Sequence, residues 1–306
     1  MSNDELQEVT SPRPFLGKSK LIDEDGLLSE RIFGPQQNFR CKCGKLNTKT
    51  HDRGKRCPKC NVLCDTNDLR LTTFAKITVP FGAIKPTKKR EFYKITGKKN
   101  TNLLNPIFAD HSVSSYRYLA IQSDGKKLKI VNSLDKDSNW YNIPFRITGI
   151  YSFILVLKYV AFTLNLPVAK DLFDQKYIME YIKVLPPDVR PIIPMKNQQK
   201  LRITEVNKQY ESLISLNLAN RPVINNIKTD EENWLGMIHE SFKSQLLEDE
   251  IVDQAVIQYD NLAARYQYYV DLAYENVYND VCGKTGYIRS GILGKTIEFS
   301  ARFGTF

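Results

Sequence analysis

Cys41-Lys42-Cys43 and Cys57-Pro58-Lys59-Cys60 place four thiols in two close pairs separated by 13 residues. Thiolates are soft ligands, and four of them on two short knuckles supply the tetrahedral shell that zinc takes at a structural site. The first pair is tighter than the usual knuckle, which leaves Cys64 or His51 as an alternative for one ligand. Neither a general base nor an open coordination position accompanies the pairs, so the chemistry they point to is structural. The competing readings are buried free thiols and disulfides, the latter suited to an oxidising compartment. The first residues, Met1-Ser2-Asn3-Asp4-Glu5-Leu6, are polar and acidic where a secretion signal needs a basic start and an apolar stretch.

Gly283-Lys284-Thr285 and Gly294-Lys295-Thr296 resemble the end of a phosphate loop, but the position five residues before each leading Gly holds Tyr278 or Arg289. No glycine-rich cradle forms, and a nucleotide-hydrolysing loop is excluded. Lys284, Arg289, Lys295 and Arg302, against the single acid Glu298, instead make a basic segment suited to a phosphate backbone. Only His51, His111 and His239 are present, which excludes chemistry that uses several histidines.

The elements that must carry these residues belong to a chain of 306 residues, 42% hydrophobic and 25% charged, enough for two or three domain-sized units. Its net charge of +10 favours nucleic acid, anionic membrane surfaces or acidic proteins as partners. The surplus is concentrated. Residues 85–99 hold Lys85, Lys88, Lys89, Arg90, Lys94, Lys98 and Lys99 against Glu91, and 284–302 add +3, leaving +1 elsewhere.

Residues 1–40 read as loop-rich and 69–81 as a strand. Helical patterns dominate 150–183 and stop at Leu185-Pro186-Pro187. Within them, Phe153, Leu157, Val160 and Leu164 mark a buried helix, and Lys158 interrupts an apolar run too short to span a membrane. A coiled-coil seam begins at Ile203, Val206, Tyr210 and Leu213. It returns from Val252 through Val277 after an acidic connector with Asp230, Glu231, Glu232, Glu248, Asp249 and Glu250. An antiparallel helical hairpin with an acidic tip is the expected arrangement.

Four blocks, in order, resemble the N-terminal part of the largest (β′) subunit of multisubunit DNA-dependent RNA polymerases. Asp25-Gly26-Leu27-Leu28-Ser29-Glu30-Arg31-Ile32-Phe33-Gly34-Pro35 is similar to the block before the family's zinc site. Cys41-x-Cys43-Gly44-Lys45 with Arg53-Gly54 and Cys57-x-x-Cys60 resembles the zinc-binding domain, tight first knuckle included. Leu185-Pro186-Pro187-Asp188-Val189-Arg190-Pro191-Ile192-Ile193-Pro194 resembles the block before the lid and clamp helices, and 283–302 resembles the switch segment that contacts template DNA. Thr296 and Ala301 depart from the family's arginine and glycine, and 221–247 is unlike its short hairpin tip.

The resemblance implies a mixed α+β, multi-part polymerase clamp with a small zinc-binding domain and a helical hairpin, not an autonomous single domain. Its parts would be an N-terminal clamp segment (1–105, zinc-binding domain 41–60), a clamp core (106–194), a lid (195–203), clamp helices (204–262) and a rudder-like and switch segment (263–306). Cys41, Cys43, Cys57 and Cys60 would hold structural zinc; Lys284, Arg289, Lys295 and Arg302 would touch DNA; Lys196, Lys200 and Arg202 would lie in the lid. The seam after Leu262 runs through what the resemblance makes a rudder loop.

The family's catalytic loop of three aspartates occurs nowhere in the sequence. The expectation is therefore a split polymerase of the kind found in large-genome bacteriophages, acting in the cytoplasm of the infected bacterium. A C-terminal β′ fragment would hold the catalytic Mg²⁺. β-like chains, a sigma-like promoter-specificity factor, template DNA and nascent RNA would be the other partners, with no membrane involved. A stand-alone zinc-containing DNA-binding or host-polymerase-modulating protein is the alternative.

Overall fold

The computed structural model describes residues 6–16, 21–95, 118–122, 124–131, 140–143, 145–174, 177–194, 201–202, 204–244 and 254–283. The chain opens with three one-turn helices, α1 (Glu30–Phe33), α2 (Lys49–Asp52) and α3 (Leu69–Thr72), around a hairpin of β1 (Lys55–Arg56) and β2 (Leu63–Cys64). The long strand β3 (Ala75–Ile84) follows. The strand expected over 69–81 thus starts later, because Leu69–Thr72 coils to turn Arg70 inward, where it donates to the carbonyls of Leu28 and Gly34.

Next come α4 (Lys89–Ile95), then β4 (Tyr118–Gln122) flanked by β5 (Leu128–Val131) and β6 (Trp140–Asn142) in an antiparallel sheet. Helix α5 (Ile150–Lys158) is buried along its length and continues as a π-helical turn through Thr163. The buried helix read from Phe153, Leu157 and Val160 is this one. Helix α6 (Pro167–Asp174) is followed by β7 (Ile178–Val184), which pairs antiparallel with β3. Helix therefore does not run to 183 as expected; the branched side chains of Ile178, Ile182 and Val184 fit a strand edge. The β3–β7 register breaks between Thr78 and Ala83. Pro80 removes a ladder donor there, and Gly82, at φ 71°, lets α5 approach, since a Cβ would stand 3.2 Å from Ile154.

The short pair β8 (Ile193–Pro194) and β9 (Leu201–Arg202) leads into α7 (Glu205–Ala219), α8 (Arg221–Ser244) and α9 (Gln254–Cys282). Helix α7 packs along α9, as the two seams predict. The acidic connector is different where it is described: 221–244 is helix, and two of its acids have partners, while Glu248, Asp249 and Glu250 lie outside the described residues. Asp230 accepts from Tyr259 Oη, and Glu231 binds Lys158 Nζ at 2.8 Å. Residues 263–282, where the resemblance implies a loop, are helical, following the apolar 4–3 spacing instead. Among the described residues no single helix is long and apolar enough to cross a membrane; a bent pair, Ile150–Thr163 with Pro167–Asp174, passes by length and composition, but 150–157 is core.

One apolar core draws on β3, α5, α7, α8 and α9, with Phe81, Tyr151, Trp234, Tyr259 and Tyr266 at its aromatic centre. Two polar side chains tie α9 into it. Gln267 accepts from Ile84 N at 2.7 Å and donates to Ile84 O at 3.0 Å, completing the end of β3. Asp260 accepts from Ser152 N at 2.9 Å and from Thr148 Oγ1, capping α5 from another helix. Gly149 makes room, because a Cβ there would lie 2.7 Å from the carboxylate.

Burial pushes the Asp260 carboxyl up to about 6 against the hydrogen bonds that favour its ionised form. A folded-state pKa raised above the unfolded value means that the stabilising contribution is fully present below about pH 4 and is lost as pH rises through 6. Urea unfolding of Asp260→Asn and the parent chain at pH 4 and pH 7 is therefore expected to show the variant gaining on the parent at pH 7, by about 2–3 kcal/mol. An unchanged difference between the two pH values would contradict this.

Candidate metal centre

The two cysteine knuckles are built alike. Cys41 N donates to Leu46 O at 3.0 Å and Cys57 N to Val62 O at 3.0 Å, so each ligand opens a turn closed by an apolar residue five positions on. Within each turn a second bond returns to the first cysteine, from Gly44 N to Cys41 O and from Asn61 N to Cys57 O. Gly44 and Asn61 sit at φ 74° and 54°, in the left-handed region that these two residue types tolerate. The second knuckle also sits in the β1–β2 hairpin, with Lys55 opposite Cys64.

These turns bring the Sγ atoms of Cys41, Cys43, Cys57 and Cys60 within 4.8 Å of one another, with Cys41–Cys43 and Cys43–Cys57 both at 3.5 Å. Four thiolates on a tetrahedral zinc ion stand about 3.8 Å apart. The donor set and spacing fit that ion, and all four cysteines read from the sequence come together. Cys64 is fully buried on β2 outside the cluster, and His51 is exposed on α2, so neither replaces a ligand. Backbone N–H donation favours thiolate: the Cys60 N–H leads in pulling Cys57 down to about 6, while desolvation pushes Cys60 up. Leu46 N also points at Cys41 Sγ, at 3.2 Å. A metal there would cross-link the knuckles, whose own apolar cluster is only Cys41, Cys57 and Val62 with Leu46 and Cys60 against them.

The module is strongly basic, which the sequence reading missed by summing charge over everything outside two stretches. Residues 40–60 hold eight Lys or Arg against Asp52. Arg40, Lys45, Lys49, Arg53, Lys55, Arg56 and Lys59 are exposed. Lys49 and Arg53 stand over the Phe39 ring at 5.6 and 5.9 Å, and Arg53 also pairs with Asp65. In the run 85–99, by contrast, Lys88 lies over the Tyr177 ring and Lys89 pairs with Asp271 of α9, so part of that charge is tied into the fold.

Two arginines, neither singled out as a site residue, join the sequence blocks behind the module. Arg190 is 1% exposed and donates to Leu27 O, Leu185 O and Asn207 Oδ1, each at 2.7 Å, while Phe33 and Tyr210 present their rings. Arg70 binds Leu28 O and Gly34 O and pairs with Asp188 at 3.4 Å. The block at 25–35, the block at 185–191 and the start of α7 thus close on one another. Of the other sequence-derived residues, Arg202 lies on β9, at the base of the segment 195–200. Lys196, Lys200, Lys284, Arg289, Lys295 and Arg302 lie outside the described residues.

Fold and site together define a mixed helix-and-sheet protein with a four-cysteine cluster that could hold a metal ion. Its sequence is β′-like over most of its length. It is 22% identical over 332 residues to the DNA-directed RNA polymerase subunit beta′ of Acholeplasma laidlawii, covering 96% of this chain and 23% of that one. It is 23% identical over 336 residues to the same subunit of Nitrosococcus oceani, covering 96% and 22%. Against that of Paulinella chromatophora the figures are 22% over 347 residues, 96% and 50%. The chain thus spans less than a quarter of the length of the two bacterial relatives. No protein-family model matches it.

Proposed function

We propose that the chain serves as the N-terminal clamp portion of a β′-type subunit in a multisubunit DNA-dependent RNA polymerase, with zinc in the four-cysteine site. The observation that carries this is the collinear similarity to β′ subunits over 96% of the chain, with the four cysteines converging within it. The exposed basic side chains of the module support contact with nucleic acid. In this reading 283–302 is the switch that tracks template DNA, 195–203 the lid against nascent RNA, and 204–262 the clamp helices that dock a sigma-like specificity factor. Catalysis takes place on Mg²⁺ held by the three-aspartate loop of a C-terminal β′ fragment, beside β-like chains.

Lys284→Ala and Arg289→Ala test the switch assignment in the assembled complex. Each is expected to weaken template binding and to lower the slope of log affinity against log salt by about 1, with assembly intact. Loss of assembly with template affinity unchanged would make these residues structural instead.

A further inference from the structure

The C-terminal end of helix α9 lies at the surface. Ala273 is its last buried residue; from Tyr274 to Cys282 no residue is buried. This free end is nevertheless amphipathic. Tyr274, Tyr278 and Val281, 40%, 54% and 41% exposed, recur at i, i+4 and i+7 and form one stripe, while Val277 at its margin packs against the core. The Tyr274 and Tyr278 rings stack on each other, centroids 6.3 Å apart and planes 26° from parallel, so the aromatic surface is already ordered. Helical geometry puts Glu275 along one edge of the stripe and Asp280 along the other. The last turn contains no basic residue and carries the negative end of the helix dipole. The nearby cation Lys89 is taken by Asp271, one turn back.

Each feature selects the same side chain. Aromatic faces attract cations, arginine most often. A guanidinium stacks on a ring and pairs with a carboxylate at once, which an ammonium does less well. Two flanking carboxylates and a helix C-terminus repel phosphates, so a nucleic-acid backbone does not fit. We propose that the last three turns of α9 are a docking surface for an arginine-bearing, apolar-faced protein segment, its guanidinium over the Tyr274–Tyr278 pair and its charge met by Glu275 or Asp280. The surface rests on the exposed helix end alone and is independent of the polymerase reading.

The test uses the full chain and a labelled amphipathic peptide of arginine and leucine, with an Arg→Glu version and a single-stranded DNA oligonucleotide as comparisons, read by fluorescence anisotropy. The arginine peptide is expected to bind. Tyr274→Ala with Tyr278→Ala, exposed positions whose loss leaves the helical circular dichroism signal in place, is expected to weaken binding by about tenfold or more. Glu275→Gln with Asp280→Asn is expected to weaken it and flatten its salt dependence. Affinity indifferent to the tyrosines, equal binding of the glutamate peptide, or tyrosine-dependent binding of the DNA overturns the proposal. So does dimerisation in sedimentation that Tyr278→Ala abolishes, which makes a second copy the occupant, or a benzophenone at position 278 that links to residues 284–306 of its own chain.

Discussion

Replacing Arg190 with alanine is expected to cost about 3–5 kcal/mol of folding stability, because it strands three buried acceptors at once and empties a large side-chain volume. The acceptors are Leu27 O, Leu185 O and Asn207 Oδ1, and they lie up to 163 residues from Arg190 in sequence. Desolvation draws the guanidinium down to about 10, which still leaves it charged at neutral pH, and its hydrogen bonds to carbonyl and amide oxygens take the place of water. Arg190→Lys is expected to recover less than half of the loss, since one ammonium cannot span the positions that a planar fork reaches. Urea unfolding monitored by tryptophan fluorescence measures both. A loss below about 1 kcal/mol for the alanine variant, the level of an ordinary surface change, would show that the three blocks hold together without this latch.

Removing the metal is expected to unfold the cysteine module and leave the main core standing. Structural zinc in knuckle peptides is worth about 10–16 kcal/mol at neutral pH, far more than a cluster of a few apolar side chains supplies. Purified protein is expected to hold about one zinc ion per chain, as a four-thiolate site requires. On chelation, amide protection at Cys41, Cys57 and Asn61 is expected to vanish while α5, buried along its length, keeps its own. Cys57→Ser is expected to reproduce the chelated state; Cys64→Ser, outside the cluster, is expected to keep the metal. Zinc retained by the first variant or lost by the second would contradict the ligand set.

The cysteine site was legible because spacing alone nearly dictates a metal knuckle, and the α7–α9 pairing because a 4–3 apolar seam has few other uses. Where periodicity and resemblance disagreed, over 263–282, the periodicity described the structure, since packing against β3 and α5 rewards the helix. The other readings that failed needed a partner distant in sequence. Asp230 and Glu231 look like a solvated tip until Tyr259 and Lys158 are placed beside them. Residues 178–184 carry branched side chains, but their strand signal becomes decisive only with β3 as a template. Arg70 and Arg190 bind mostly backbone carbonyls, which leave no pattern in side-chain types. The basic face of the module was in the sequence throughout and was hidden by pooling it with acids elsewhere.

Co-purification followed by transcription tests most directly whether this chain works inside a polymerase. Co-expressed with β-like chains and a β′ fragment carrying the three-aspartate loop, it is expected to elute in a stoichiometric complex. That complex is expected to make RNA from a DNA template in a Mg²⁺-dependent reaction, and to make none when this chain is omitted. A chain that binds DNA as a free monomer, never enters the complex, and leaves RNA synthesis unchanged by its omission would contradict the claim and favour a stand-alone zinc-containing DNA-binding protein.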